Sequence, residues 1–133
     1  MTSVFADTFY FIALLNADDD AHAAAAAYST DDTVRMITTA WVLTELADGL
    51  AESSGRTIFA ALLNDLRADA RVEVIEPDAQ LWRRGIELYD SRRDKGWSLT
   101  DCISFVGMSD RKITDALTGD HRFEQAGFFA LLK

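Results

Sequence analysis

Four carboxylates, Asp7, Glu45, Asp101 and Asp120, stand where an α/β chain tends to place its chemistry. Asp7 follows the apolar run 3–6, and Glu45 borders the stripe of Val42, Leu43, Leu46 and Leu50. Asp101 opens an apolar segment that begins at Cys102, and Asp120 follows the run 113–117. In open parallel sheets, ligands bind beyond the carboxyl ends of the strands, where the strand order reverses. Acids that converge there without intervening bases repel one another, and a hard divalent cation, Mg2+ or Mn2+, relieves the repulsion. Such an ion acidifies bound water and takes phosphate oxygens as ligands, which points to hydrolysis of a phosphodiester.

Each acid also has an ordinary structural explanation. Ser98-x-x-Asp101 has the form of a helix capping box, in which both side chains satisfy free backbone N–H groups. Asp7 suits a turn after a strand, Asp120 after Gly119 suits a tight turn, and Glu45 suits the solvated face of a helix. Asp115 competes with Asp120, but strand alternation and its place ahead of Ala116-Leu117-Thr118 disfavour it. Arg83, Arg84, Arg92, Arg93 and Lys95 form a candidate strip for holding phosphate, and His121 is a candidate substrate contact. Arg83 and Glu87 are equally well spaced for an i, i+4 ion pair on a solvated helix face. His22 reads as a packing residue, and Phe9, Phe11, Trp41 and Trp82 as core or subunit contacts.

Positioning these groups requires a particular scaffold. Short apolar runs alternate with stretches of helical period, the rhythm of parallel strands joined by helices. The expected class is α/β, with a central, mostly parallel sheet of four to five strands flanked by helices. Strands are expected at 3–6, 33–38, 71–75 and 113–117, with a short edge strand within 128–132. The first helix is expected at 9–15, and the second runs through the alanines to Tyr28, capped by Asp18, Asp19 and Asp20. Ser53 and Ser54 are read as caps of a helix that buries Ile58, Phe59, Leu62, Leu63 and Leu66. Pro77 and Asp78 start another, with Leu81, Trp82, Gly85, Leu88 and Tyr89 as its buried stripe, and 100–111 is an enclosed central helix.

With 133 residues, 49% apolar, and a single proline, the chain reads as one globular domain over 1–133 that needs no staple. Thirteen Lys and Arg against 22 Asp and Glu leave a net charge of −9, which argues against the broad basic surface of a sequence-reading DNA-binding module. A bound cation or a local basic strip keeps nucleic acid open as a partner. Cys102 alone excludes an internal disulfide and thiolate zinc sites, and His22 and His121 are too distant for a helical i, i+4 pair, so any metal is expected to be held by oxygen. With no basic-then-apolar leader and no membrane-length apolar run, a cytoplasmic location away from the membrane is expected.

Four fragments carry a further signal: Val4-Phe5-Ala6-Asp7-Thr8, Thr44-Glu45-Leu46, Ser98-Leu99-Thr100-Asp101-Cys102 and Ala116-Leu117-Thr118-Gly119-Asp120-His121-Arg122-Phe123. In that order and spacing they resemble a PIN-domain ribonuclease, most closely the small prokaryotic VapC-type toxins of toxin–antitoxin pairs. The resemblance runs over nearly the whole chain. It implies that Asp7, Glu45, Asp101 and Asp120 ligate Mg2+ or Mn2+, with Thr8 and Thr118 as hydrogen-bonding support. It also implies a homodimer that cleaves RNA and is inhibited by a cognate antitoxin. The alternative is a member of the same fold without catalysis, serving as a binding or assembly module. Phosphoryl transfer through Asp7 fits poorly, because that chemistry commonly needs a second aspartate two residues on, and position 9 is Phe9.

Overall fold

The computed structural model describes residues 1–133 as five strands and seven helices. In chain order they are β1 (Thr2–Ala6), α1 (Thr8–Leu15), α2 (His22–Ser29), β2 (Val34–Thr39), α3 (Ala40–Gly49), α4 (Ser53–Ala68), β3 (Val72–Ile75), α5 (Ala79–Ser91), α6 (Leu99–Asp110), β4 (Asp115–Leu117), α7 (His121–Gln125) and β5 (Phe129–Ala130). The sheet runs β3-β2-β1-β4-β5, and every neighbouring pair is parallel. The order therefore reverses between β1 and β4, the position that opens a crevice at the carboxyl ends of the strands. β1 is central, and Val4, Phe5 and Ala6 are buried, as a strand covered on both faces requires.

Two features fix the loops above that crevice. Pairing of Phe5 with Ala116 and Ala6 with Leu117 puts the residues that follow β1 and β4 side by side. Phe105 of α6 then packs edge-on against Phe123 of α7, ring centroids 5.0 Å apart, and against Trp97 at 5.1 Å. This aromatic group ties α7 to the start of α6. Gly127, at φ 97, closes α7 in the left-handed conformation that suits glycine, and the chain turns into β5.

Most of the expected elements form within a residue or two of their expected bounds, and four local expectations change. The helix after Ser53 begins at that residue, with Glu52 at its N-cap and no capping side chain, so neither serine is a cap. The acidic run does not cap α2: its N-cap is Ala21, and the Asp19 carboxylate accepts the Ala21 N–H one residue ahead of the helix. On α5, only Leu81 and Gly85 of the expected stripe are fully buried, while Trp82, Ile86 and Tyr89 are exposed. Gly85 lies against Ile103, so α5 closes onto α6 through the position that lacks a side chain, and the bulkier apolar groups are left outside. Ile58 of α4 is likewise exposed. No helix is long and apolar enough to cross a membrane.

Candidate active site

Asp7 occupies the N-cap position of α1 in an extended conformation, yet its side chain makes no capping bond. It is 6% exposed, and the Thr118 hydroxyl donates to its Oδ2 at 2.9 Å. Thr118 is itself fully buried, and its oxygen also accepts the Asp120 N–H at 3.1 Å. One hydroxyl thus joins the end of β1 to the end of β4. Burial pushes the Asp7 carboxyl up to about 7, the Thr118 hydroxyl and Thr8 amide pull against the rise, and the charges of Asp101 and Glu45 add to it.

The other three acids surround this centre from separate elements. Glu45, exposed on α3, accepts a hydrogen bond from the Thr8 hydroxyl at 2.5 Å, so α1 and α3 are linked at the residue that follows Asp7. Asp101 forms the expected capping box: the Ser98 hydroxyl oxygen accepts the Asp101 N–H, and Asp101 Oδ2 accepts the Ser98 N–H, both at 3.0 Å. Asp101 is nevertheless 8% exposed, and burial raises its carboxyl pKa, with Asp120 adding to the rise and Arg122 opposing it. Asp120 is the N-cap of α7, accepting the Arg122 N–H at 2.9 Å on Oδ1 and the Arg122 guanidinium at 3.1 Å on Oδ2. Capping is therefore real for Asp101 and Asp120 but absent for Asp7. The four carboxylates share one electrostatic neighbourhood, since Asp7 is influenced by Asp101 and Glu45, and Asp101 by Asp120.

No three of these side chains stand close enough to form a ready-made ligand cage. In donor chemistry, however, the group fits a hard cation: every donor is a carboxylate oxygen, and the buried one has only a neutral hydroxyl and amide to offset its charge. Asp115 lies on β4 with the Thr114 hydroxyl 3.4 Å from its Oδ1, and it is not among the charges that act on Asp7 or Asp101.

The basic strip meets a different fate. Arg84 pairs with Asp110 at 2.7 Å, Arg92 lies over the Trp97 ring while binding Asp94, Arg93 pairs with Asp90, and Lys95 lies 3.9 Å from Asp94. Arg83 is exposed and forms no pair with Glu87. His121 is exposed, with Nδ1 3.6 Å from Asp120 Oδ1. His22 bonds the Ala13 carbonyl at 2.8 Å and so fastens α2 to α1, a packing role. The residue that the reading of the sequence passed over is Arg122, the cation that stands among the acids. Its place two residues after Asp120 is the available signal, but only the fold turns its guanidinium back onto that carboxylate.

A family model described as PIN domain matches residues 4–129. Among solved structures, VapC20 of Mycobacterium tuberculosis, a sarcin–ricin loop cleaving toxin, superposes with a TM-score of 0.83 at 27% identity, covering 96% of this chain and 98% of that one. A chain of VapBC2 from Rickettsia felis, solved bound to a DNA fragment from their promoter, gives 0.67 at 17% identity, covering 97% and 96%. A chain of FitAcB from Neisseria gonorrhoeae gives 0.63 at 16% identity, covering 96% and 95%. No curated protein sequence matches significantly.

Proposed function

Since this chain belongs to the PIN domain family, we propose that it is an endoribonuclease, the toxin of a toxin–antitoxin pair, acting in the cytoplasm as a homodimer. The single observation that carries the reading is Asp7: a buried carboxylate at a helix start that caps nothing and lies in the field of two further acids. Carboxylates kept at such electrostatic cost concentrate at functional sites, which supports a role for Asp7 beyond folding. The 27% identity to VapC20 over nearly the whole of both chains supports the toxin assignment.

Asp7, Glu45, Asp101 and Asp120 would hold Mg2+ or Mn2+, which when bound supplies an acidified water and neutralises charge at the phosphate. The chain's own residues do the positioning. Thr118 keeps Asp7 and the Asp120 backbone in one place, and Thr8 keeps Glu45 facing them. Ser98 fixes Asp101 at the start of the buried α6. Solvent access to Asp7 is already restricted by its burial between β1 and β4. Arg83 and His121 are exposed and are the members of the expected basic set left to contact a long substrate, whereas Arg92, Arg93 and Lys95 are paired with Asp94 and Asp90.

An open groove of about 320 Å³, lined by Ile12, Leu15, Leu46, Leu50 and Ile58, adjoins Thr8 and Glu45. An apolar segment of an antitoxin lying in it would cover Glu45 and Thr8 at the edge of the acid group, which is how inhibition would follow from binding.

The test is cleavage of purified RNA, including a stem-loop carrying the sarcin–ricin sequence, with Mn2+ or Mg2+ and with chelator. Cleavage that needs the metal and is lost in Asp7→Asn supports the proposal. The capping bonds of Asp101 and Asp120 favour a second reading, a non-catalytic PIN module whose acids are structural. Absence of cleavage on every RNA, with a partner protein still bound, would establish that one instead.

A further inference from the structure

Resting on the nuclease reading, we propose that Arg122 is a substrate-binding residue that grips a phosphate of the RNA backbone beside the scissile bond. Four carboxylates share one electrostatic neighbourhood around the crevice, and an approaching polyanion is repelled by each of them. Among the charges acting on Asp101, Arg122 is the one that favours its ionised form. Asp7 lies in the same neighbourhood with acids alone adding their charge to its burial.

The geometry of Arg122 separates it from the arginines that are fully engaged by acids elsewhere on the surface, and its contact with Asp120 separates it from the exposed, unpaired Arg83. Its backbone N–H and one guanidinium nitrogen engage Asp120, at 2.9 and 3.1 Å. A guanidinium carries five N–H donors in a planar fork suited to phosphate. The remaining donors of Arg122 have no partner within the protein, and its side chain is 43% exposed. By contrast, Arg92 binds Asp94 through both Nε and Nη2, Arg84 is paired across α5 and α6, and Arg71 is engaged with Ser29, Asp31 and Asp69. Arg122 is thus anchored at one edge by Asp120 and open at the other. That arrangement pre-positions a cation next to the acids without burying it. The anchoring is also economical in entropy, since a long side chain already held at one nitrogen loses less freedom when it meets an anion.

The consequence is a division of labour. The carboxylates hold the reacting centre, and the guanidinium offsets their repulsion of the substrate. The measurement is steady-state cleavage of the sarcin–ricin stem-loop, or of whichever RNA the wild-type protein cuts, in Mn2+ over a range of KCl. It is paired with anisotropy binding of the same labelled RNA in chelator. Arg122→Gln is expected to raise KM about tenfold, change kcat less than about threefold, and lower the slope of log affinity against log salt by about one. Arg122→Lys keeps the charge and is expected to retain the wild-type salt slope with an intermediate KM. Wild-type KM and slope in Arg122→Gln overturn the proposal. So does a fall in kcat alone in both variants, because the guanidinium would then act only by holding Asp120. If the wild-type protein neither cuts nor binds any RNA, the nuclease reading itself fails, a result distinct from either of these.

Discussion

Asp7→Asn examines the site through stability, independently of turnover. Burial, with repulsion from Asp101 and Glu45, takes the Asp7 carboxyl from 3.8 up to about 7. Between about pH 4 and 7 the folded protein therefore keeps a proton that the unfolded chain has released, so stability falls as pH rises through that window and levels off above it. The distance between the two values, at about 1.4 kcal/mol per pKa unit, corresponds to on the order of 4 kcal/mol. Solvent relieves little of this, because the residue is only 6% exposed. Asparagine preserves the shape and an acceptor for the Thr118 hydroxyl while removing the charge. Urea unfolding of the two proteins should show the advantage of the variant growing by about 2–3 kcal/mol between about pH 5 and about pH 8. Mn2+ added at the higher pH should narrow the gap by stabilising the wild type alone, since only the wild type offers the buried carboxylate. A gap that does not change with pH, or a variant less stable than wild type at the higher pH, refutes this account of Asp7.

Other perturbations address the supports of the site and the core. Ser98→Ala removes the acceptor of the Asp101 N–H and should lower stability by about 1 kcal/mol, read from the urea midpoint at constant slope. Gly119→Ala would bring a methyl group to 2.5 Å from Phe9 Cζ, between Thr118 and Asp120. It should lower stability by about 1–3 kcal/mol, with partial recovery when Phe9→Leu is added, and calorimetric midpoints decide it. Cys102 is buried, and burial pushes its thiol up to about 11, so a thiol reagent near neutral pH should leave it unlabelled in the native protein and label it rapidly in urea. Labelling at equal rates in both conditions would contradict its burial.

Much of the fold was legible because its signals are local. β1, β2, β3 and β4 are short apolar runs, and α6 is apolar around most of its circumference, so period and length suffice to find them. The Ser98–Asp101 box was readable as a motif and forms with both bonds. The misreadings share a cause. Trp82, Leu88 and Tyr89 mark an apolar face on α5, but periodicity does not say what covers that face, and Gly85 against Ile103 decided which part is buried. Ser53 and Ser54 have the composition of caps, yet the helix begins at Ser53 itself, which puts both inside its first turn. The five-residue α7 is too short to leave a periodic trace.

For the site, residue types and order along the chain already single out Asp7, Glu45, Asp101 and Asp120 as candidate oxygen donors at strand exits and helix starts. Whether each acid is a cap or a free carboxylate was undecided at that level. Tertiary structure resolved it, because parallel pairing of β1 with β4 sets Thr118 against Asp7, two residues 111 positions apart. The burial of Asp7, the Thr8–Glu45 bond across α1 and α3, and the placing of Arg122 among the acids arise in the same way. Local sequence sets backbone preference and hydrophobic period, whereas desolvation and charge coupling depend on which distant segments become neighbours, and that is a property of the assembled sheet.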